Sequence, residues 1–140
     1  MKIVVDTNVF ISACIGNGAA SDVISACIRG KASATMGTTL FLEYEDVLSR
    51  DSSFLAARLN KTERDLLFDV FLAKCEWSAV YFSWRPNLRD EADNHLVELA
   101  IASQAEWIVT GNIRDFRNTD LRFDQFSVAT PDRFLQELLK

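Results

Sequence analysis

Apolar residues follow two rhythms along this 140-residue chain. Short unbroken apolar runs mark buried strands, and apolar positions spaced three and four apart mark helices. Ile3-Val4-Val5 is the first buried run, and it ends on Asp6. Residues 9–15 continue as a short apolar helix that Gly16-Asn17-Gly18 closes. Residues 21–29 carry Val23, Ile24, Cys27 and Ile28 at helical spacing, with Gly30 as the stop. Residues 32–36 read as a second strand, and Thr38 or Thr39 as the cap of a helix reaching about Ser49. Asn60 and Glu63 have capping-box spacing for a helix through Cys75. Val80-Tyr81-Phe82 predicts the end of a third strand, residues 91–104 a helix, residues 107–110 a fourth strand and residues 126–129 a fifth. Thr130-Pro131 places an N-cap and a first-turn proline ahead of a final helix.

Strands alternating with helices imply an α/β fold: a three-layer α/β/α sandwich around a five-stranded parallel sheet. Right-handed crossovers favour the strand order 3-2-1-4-5. That order puts the topological switch between strands one and four, where ligands of open α/β sheets bind. Asp6 ends one of these strands and Thr110-Gly111-Asn112 ends the other, so the two tips are expected to frame one crevice. A chain of this length is expected to form one domain over residues 1–140, burying roughly 68% of its unfolded surface.

Charge changes the picture only slightly. A net charge of −5 argues against a nonspecific duplex-binding surface, which is basic. It does not argue against a nuclease, because acids that hold divalent ions lose their negative charge to them. No 18-residue apolar run or signal-like leader occurs, so the expectation is a cytoplasmic protein without a membrane segment. Cys14, Cys27 and Cys75 lack metal-ligand spacing and read as buried thiols.

Several acids sit where acids are costly. Glu43 shares the apolar stripe of its helix with Leu40, Tyr44, Val47 and Leu48, while Glu45 and Asp46 face solvent. Asp93 heads the face formed by Leu96, Val97, Ala100 and Ile101, in the first turns where the helix dipole favours a carboxylate. Asp90 stands at cap position just ahead. Asp115 follows the fourth strand, near enough for a turn to aim it and the Asn112 amide at the crevice, and Thr110 is placed to hydrogen-bond Asp6. Each has a plainer reading: a helix cap for Asp6 and Asp90, an ion pair with Arg114 or Arg117 for Asp115. Carboxylates brought within a few Å repel by roughly 1–4 kcal/mol per pair, so such a cluster needs protons or cations. Oxygen ligands without thiols suit Mg2+ or Mn2+, and such a site suits phosphodiester hydrolysis, where the ion activates water and clamps the leaving oxygen. Arg85, Arg89, Arg114, Arg117 and Arg122 either rim the crevice as phosphate contacts or form a solvated loop face. His95 reads as surface or rim, with a substrate contact or proton shuttle as the alternative, and Asn94 and Glu98 as solvated. The helix bearing Leu66, Leu67, Phe68, Val70, Phe71 and Leu72 is apolar over most of its circumference, as expected if it is deeply buried or shared with a second subunit.

Four pieces in order resemble a PIN-domain nuclease of the kind found as the toxin half of VapBC-like pairs. They are Val4-Val5-Asp6-Thr7-Asn8; Leu42-Glu43-Tyr44-Glu45-Asp46-Val47-Leu48; Leu88-Arg89-Asp90 with Asp93 and Leu96-Val97-Glu98-Leu99-Ala100; and Val109-Thr110-Gly111-Asn112-Ile113-Arg114-Asp115-Phe116. The resemblance implies Mg2+- or Mn2+-dependent cleavage of RNA leaving a 5′ phosphate, homodimers, and an antitoxin that blocks the site. It assigns Asp6, Glu43, Asp93 and Asp115 to the catalytic and metal-holding set, with Glu43 orienting or deprotonating the attacking water. Asn8, Asp90, Thr110 and Asn112 are then supporting residues, and Arg89 and Arg114 contact substrate. Two departures stand out. Asn112 replaces an aspartate common in the family, and Glu91, Ala92 and Asn94 thin the acidic run around Asp93. They motivate a second reading, a catalytically silent PIN-like binding domain. A third, an aspartate-based phosphotransfer module built on Asp6, would want an acid where Asn8 stands and a lysine after a late strand, yet none lies between Lys74 and Lys140.

Overall fold

β1 (Lys2–Val5) is the middle strand of an all-parallel sheet in the order β3-β2-β1-β4-β5, the order expected from the alternation of strands and helices. The computed structural model describes residues 1–55, 57–80, 94–112 and 125–140. β2 (Ser33–Met36) and β4 (Trp107–Val109) flank β1, β5 (Ser127–Ala129) pairs with β4, and β3 (Glu76–Trp77) pairs with β2. Ile3, Val4 and Val5 are buried because both faces of the central strand are covered. Helices α1 (Thr7–Ile15), α2 (Ala19–Ile28) and α3 (Thr38–Leu48) precede a 3-10 turn (Asp51–Phe54) and α4 (Lys61–Ala73). Helix α5 (Asn94–Ser103) lies against β1, β2 and β4, and α6 (Pro131–Leu138) against β4, β5 and α2.

Local signals hold where they rest on a hydrogen bond. Asn60 accepts from the Glu63 N–H at 2.9 Å while Glu63 accepts from the Asn60 N–H at 3.0 Å, so both donors at the start of α4 are satisfied. Thr130 caps α6 through the Arg133 N–H, with Pro131 in the first turn. The core centres on Phe10, whose ring packs against those of Tyr44, Phe68 and Phe71 at centroid distances of 5.6, 5.7 and 5.6 Å. Tyr44 also donates to the Val5 carbonyl at 2.7 Å, tying α3 to the end of β1.

Three expectations are corrected. The third strand lies at Glu76–Trp77, ahead of the expected 80–82. It is a two-residue edge strand with both side chains exposed, so no apolar pattern marks it, and Val80 lies past it as exposed coil. Tyr81 and Phe82 lie outside the described residues. The N-cap of α3 is Gly37 rather than a threonine, and no side chain caps it. A Cβ there would sit 3.0 Å from Leu99 Cδ1 and 3.4 Å from the Ser78 carbonyl, so the close approach of α5 favours glycine. Of the two readings of helix α4, deeply buried or shared with a second subunit, the first does not hold: Phe68 and Phe71 face the core, whereas Leu66 is 63% and Val70 39% exposed.

Cys14 and Cys27 are buried and Cys75 half-buried, all three as free thiols. Burial pushes their pKa values up to about 11, 12 and 12, which keeps them protonated and unreactive near neutrality. No single helix among the described residues is long and apolar enough to cross a membrane.

Candidate active site

Val5 pairs with Val109, so the next residues, Asp6 and Thr110, stand side by side where β1 and β4 leave the sheet. Both are buried, Asp6 to 4% exposure. Asp6 begins α1, yet its carboxylate makes no capping hydrogen bond. Asp6 stands at the N-cap position, but capping does not account for its side chain. Thr110 Oγ1 donates to Asp6 Oδ2 at 2.8 Å. That direction is forced, because the same oxygen accepts from Asn8 Nδ2 at 3.3 Å and from the Asn112 N–H at 3.0 Å. Asn8 Nδ2 also reaches Asp6 Oδ2 at 3.2 Å, and Asn8 Oδ1 accepts from the Gly111 N–H at 3.0 Å. Asn8, Thr110, Gly111 and Asn112 thus clamp one oxygen of Asp6, and the Asn112 contribution comes from its backbone.

Burial, first of all, raises the Asp6 pKa above its ordinary 3.8; the Thr110 hydrogen bond opposes this and the charge of Glu43 raises it further. Thr110→Val would remove the opposing bond and leave two donors without their acceptor. A loss of about 1–3 kcal/mol in stability is expected by urea titration, with the Asp6 pKa moved higher still.

Glu43 projects from α3 toward the same notch and is half-buried, with His95 of α5 as its neighbour: Nε2 lies 3.2 Å from Oε2. The pair is close but not aligned as a hydrogen bond, and among the described residues nothing hydrogen-bonds the buried Glu43 Oε2. Of the readings for His95, the rim of the notch holds and the open surface does not, because its side chain is only 15% exposed. Glu98, expected to be solvated, is buried at 9% exposure, with Oε1 lacking a hydrogen-bond partner among the described residues. Residues 96–100 are buried without a break because α5 is covered by the sheet and by α3, which leaves no solvent face there. A helix with one wet side is the simpler expectation, and it misplaces Glu98. The i, i+3 spacing puts His95 and Glu98 on one helix face, but nothing in the sequence marks that face as covered.

Asp93, Asp90, Asp115, Arg89 and Arg114 lie outside the described residues, as do Arg85, Arg117 and Arg122. Among the described residues no three His, Cys, Asp or Glu side chains converge as a metal site. The donors present still suit a hard divalent cation: Asp6 has its pKa raised by burial first and then by the charge of Glu43, and Glu43 has a buried oxygen without a hydrogen-bond partner among the described residues.

A family model described as the PIN domain matches residues 2–114. Among solved structures, a chain of the VapBC2 complex from Rickettsia felis, bound to a DNA fragment from its promoter, superposes with a TM-score of 0.60 at 16% sequence identity. The match covers 91% of this chain and 97% of that one, which is a likeness of fold. No curated protein matches the sequence.

Proposed function

The chain belongs to the PIN-domain family, and on that premise we propose that it is a Mg2+- or Mn2+-dependent ribonuclease working through Asp6 and Glu43. The observation that carries the reading is the shared notch: β1 and α3 deliver two carboxylates whose charges feel one another at the switch point of the sheet. A divalent ion held there would neutralise them, activate water and stabilise the departing 3′ oxygen. Asp6 and Glu43 would hold it, joined by Asp93 and Asp115 from segments that the resemblance assigns to the same set. Thr110 and Asn8 fix the orientation of Asp6, leaving Oδ1 as its less engaged oxygen, 3.5 Å from the Thr7 hydroxyl. Glu43 receives the proton of the attacking water, and His95 keeps its carboxylate turned toward the notch. Asp90 is the supporting acid ahead of Asp93, Arg89 and Arg114 supply phosphate contacts, and the product carries a 5′ phosphate.

The likeness to a VapBC2 chain supports a biological reading as well. In it the protein is the toxin of a toxin–antitoxin pair, acts in the cytoplasm as a homodimer, and is silenced by a protein antitoxin.

Incubating the purified protein with RNA oligonucleotides and Mn2+ tests the chemistry. Cleavage should appear with the metal, vanish in excess chelator, and fall by at least about tenfold in Glu43→Gln. Cleavage undiminished in chelator would overturn the proposal. Because protons compete with the ion for Asp6, whose pKa is raised, the rate should climb with pH through a range above 3.8.

A further inference from the structure

Beside Glu43, the start of α3 and the face of α5 enclose a cavity of about 180 Å3. Its walls include Thr38, Leu40, Val80, His95, Glu98 and Leu99. We propose that this cavity receives the base of the RNA nucleotide next to the bond that is cut, and that Glu98 selects guanine there. The proposal rests on the nuclease reading for its biological meaning, but the binding it predicts needs neither metal nor hydrolysis.

Glu98 is nine-tenths buried, and its Oε1 has no hydrogen-bond partner among the described residues. A buried carboxylate oxygen without a donor is costly, so the site calls for a ligand that supplies one. His95 turns Nε2 to Glu43 and leaves Nδ1 buried and unpartnered. In the neutral tautomer that carries its proton on Nε2, Nδ1 is a second acceptor. Leu40, Val80 and Leu99 add apolar walls, which suit the faces of a flat ring. His95 belongs both to this cavity and to the Glu43 pair, so a ring bound here is adjacent to the working carboxylates.

Base chemistry then narrows the choice. Guanine alone presents two neighbouring N–H donors, N1–H and the 2-amino group, to a carboxylate. Adenine and cytosine offer one amino group beside a ring nitrogen that would repel Glu98, and uracil offers one N–H between two carbonyls. A guanidinium from a protein partner is flat and rich in donors too. Against it stands the N-terminus of α3, which no side chain caps and whose positive dipole end faces the same cavity. That end opposes a full cation and welcomes a neutral ring that carries a phosphate nearby.

His95 is the only histidine in the chain, so its ring proton resonances report on the cavity directly. Titrating the metal-free protein with 5′-GMP should move them to saturation at a concentration about tenfold lower than AMP, CMP or UMP requires. Glu98→Gln, with its fold checked by circular dichroism, should remove that preference. On the unaltered protein, inosine 5′-monophosphate, which lacks the 2-amino group, should bind about tenfold more weakly than GMP. Equal binding of all four nucleotides, inosine monophosphate binding as tightly as GMP, or methylguanidinium displacing GMP at equal concentration would overturn the proposal. Guanine preference without RNA cleavage would sink the nuclease reading alone, and cleavage without guanine preference would sink this one alone.

Discussion

Asp6→Asn should abolish metal-dependent RNA cleavage while making the protein more stable. The two effects come from one property of the site. Asp6 is buried, and burial together with the charge of Glu43 raises its pKa. A carboxyl whose native pKa is raised gives up its proton more readily in the unfolded chain, so ionisation favours unfolding. The unaltered protein therefore loses stability as pH rises from below 3.8 through the raised native value, and the loss is complete above it. Asparagine carries no charge and escapes that loss. Its amide oxygen can take the place of Oδ2 and keep the bonds from Thr110 and Asn8, while the amino group takes the place of Oδ1. The variant should unfold at higher denaturant, with a gain of about 0.5–2 kcal/mol at neutral pH that shrinks toward zero below 3.8. Cleavage should drop by at least about a hundredfold, since even residues that merely support a metal ligand cost ten- to a hundredfold when lost. Mn2+ should reverse the stability order, because the ion stabilises only the form that binds it. Cleavage that survives in Asp6→Asn would place the chemistry elsewhere. Stabilisation without any response of the unaltered protein to Mn2+ would instead favour the silent-domain reading.

The same contrast explains what the sequence could disclose. The run Ile3-Val4-Val5 ending on Asp6 is legible because a strand buried on both faces needs continuous apolar residues, and the acid after it breaks the pattern at the candidate site. The strand order followed from the alternation of elements and crossover handedness, and the five-stranded sheet matches it. The Asn60–Glu63 box was legible because its chemistry is local. β3 was not, since two exposed edge residues carry no periodicity. Gly37 was not, because its constraint is the tertiary approach of Leu99. Glu43 could be picked out as an acid on an apolar stripe, but its neighbour His95 could not, being brought there by a helix 50 residues later. Glu98 was misread for a related reason: a helix covered on several sides has no polar face to which a charge can be assigned.

Phe10→Ala should be the most damaging single change in the core, and it should reach the active site. The Phe10 ring meets Tyr44 and Phe68 edge-on, at interplanar angles of 86° and 84°, and Phe71 at a tilt. It is fully buried, so its contacts bind α1 to both α3 and α4. Truncation removes the transfer energy of the ring and leaves a void that stacked neighbours such as Tyr44 and Phe68 cannot readily fill. A cost of about 3–5 kcal/mol is expected, lowering the melting temperature by on the order of 10 °C in a domain of this size. The functional consequence follows from register. Asp6 starts the helix that carries Phe10 four residues on, and Tyr44, which the ring supports, holds the Val5 carbonyl just before Asp6. Glu43 is the chain neighbour of Tyr44. Loosening Phe10 therefore loosens both carboxylates together, and cleavage per folded molecule should fall along with stability. Phe10→Leu, which keeps most of the volume, should restore the larger part of both. A Phe10→Ala protein with full stability would show that the aromatic cluster does not anchor α1. One that is destabilised yet cleaves RNA at the original rate per folded molecule would show that Asp6 and Glu43 are aligned by β1 and the Thr110 clamp alone.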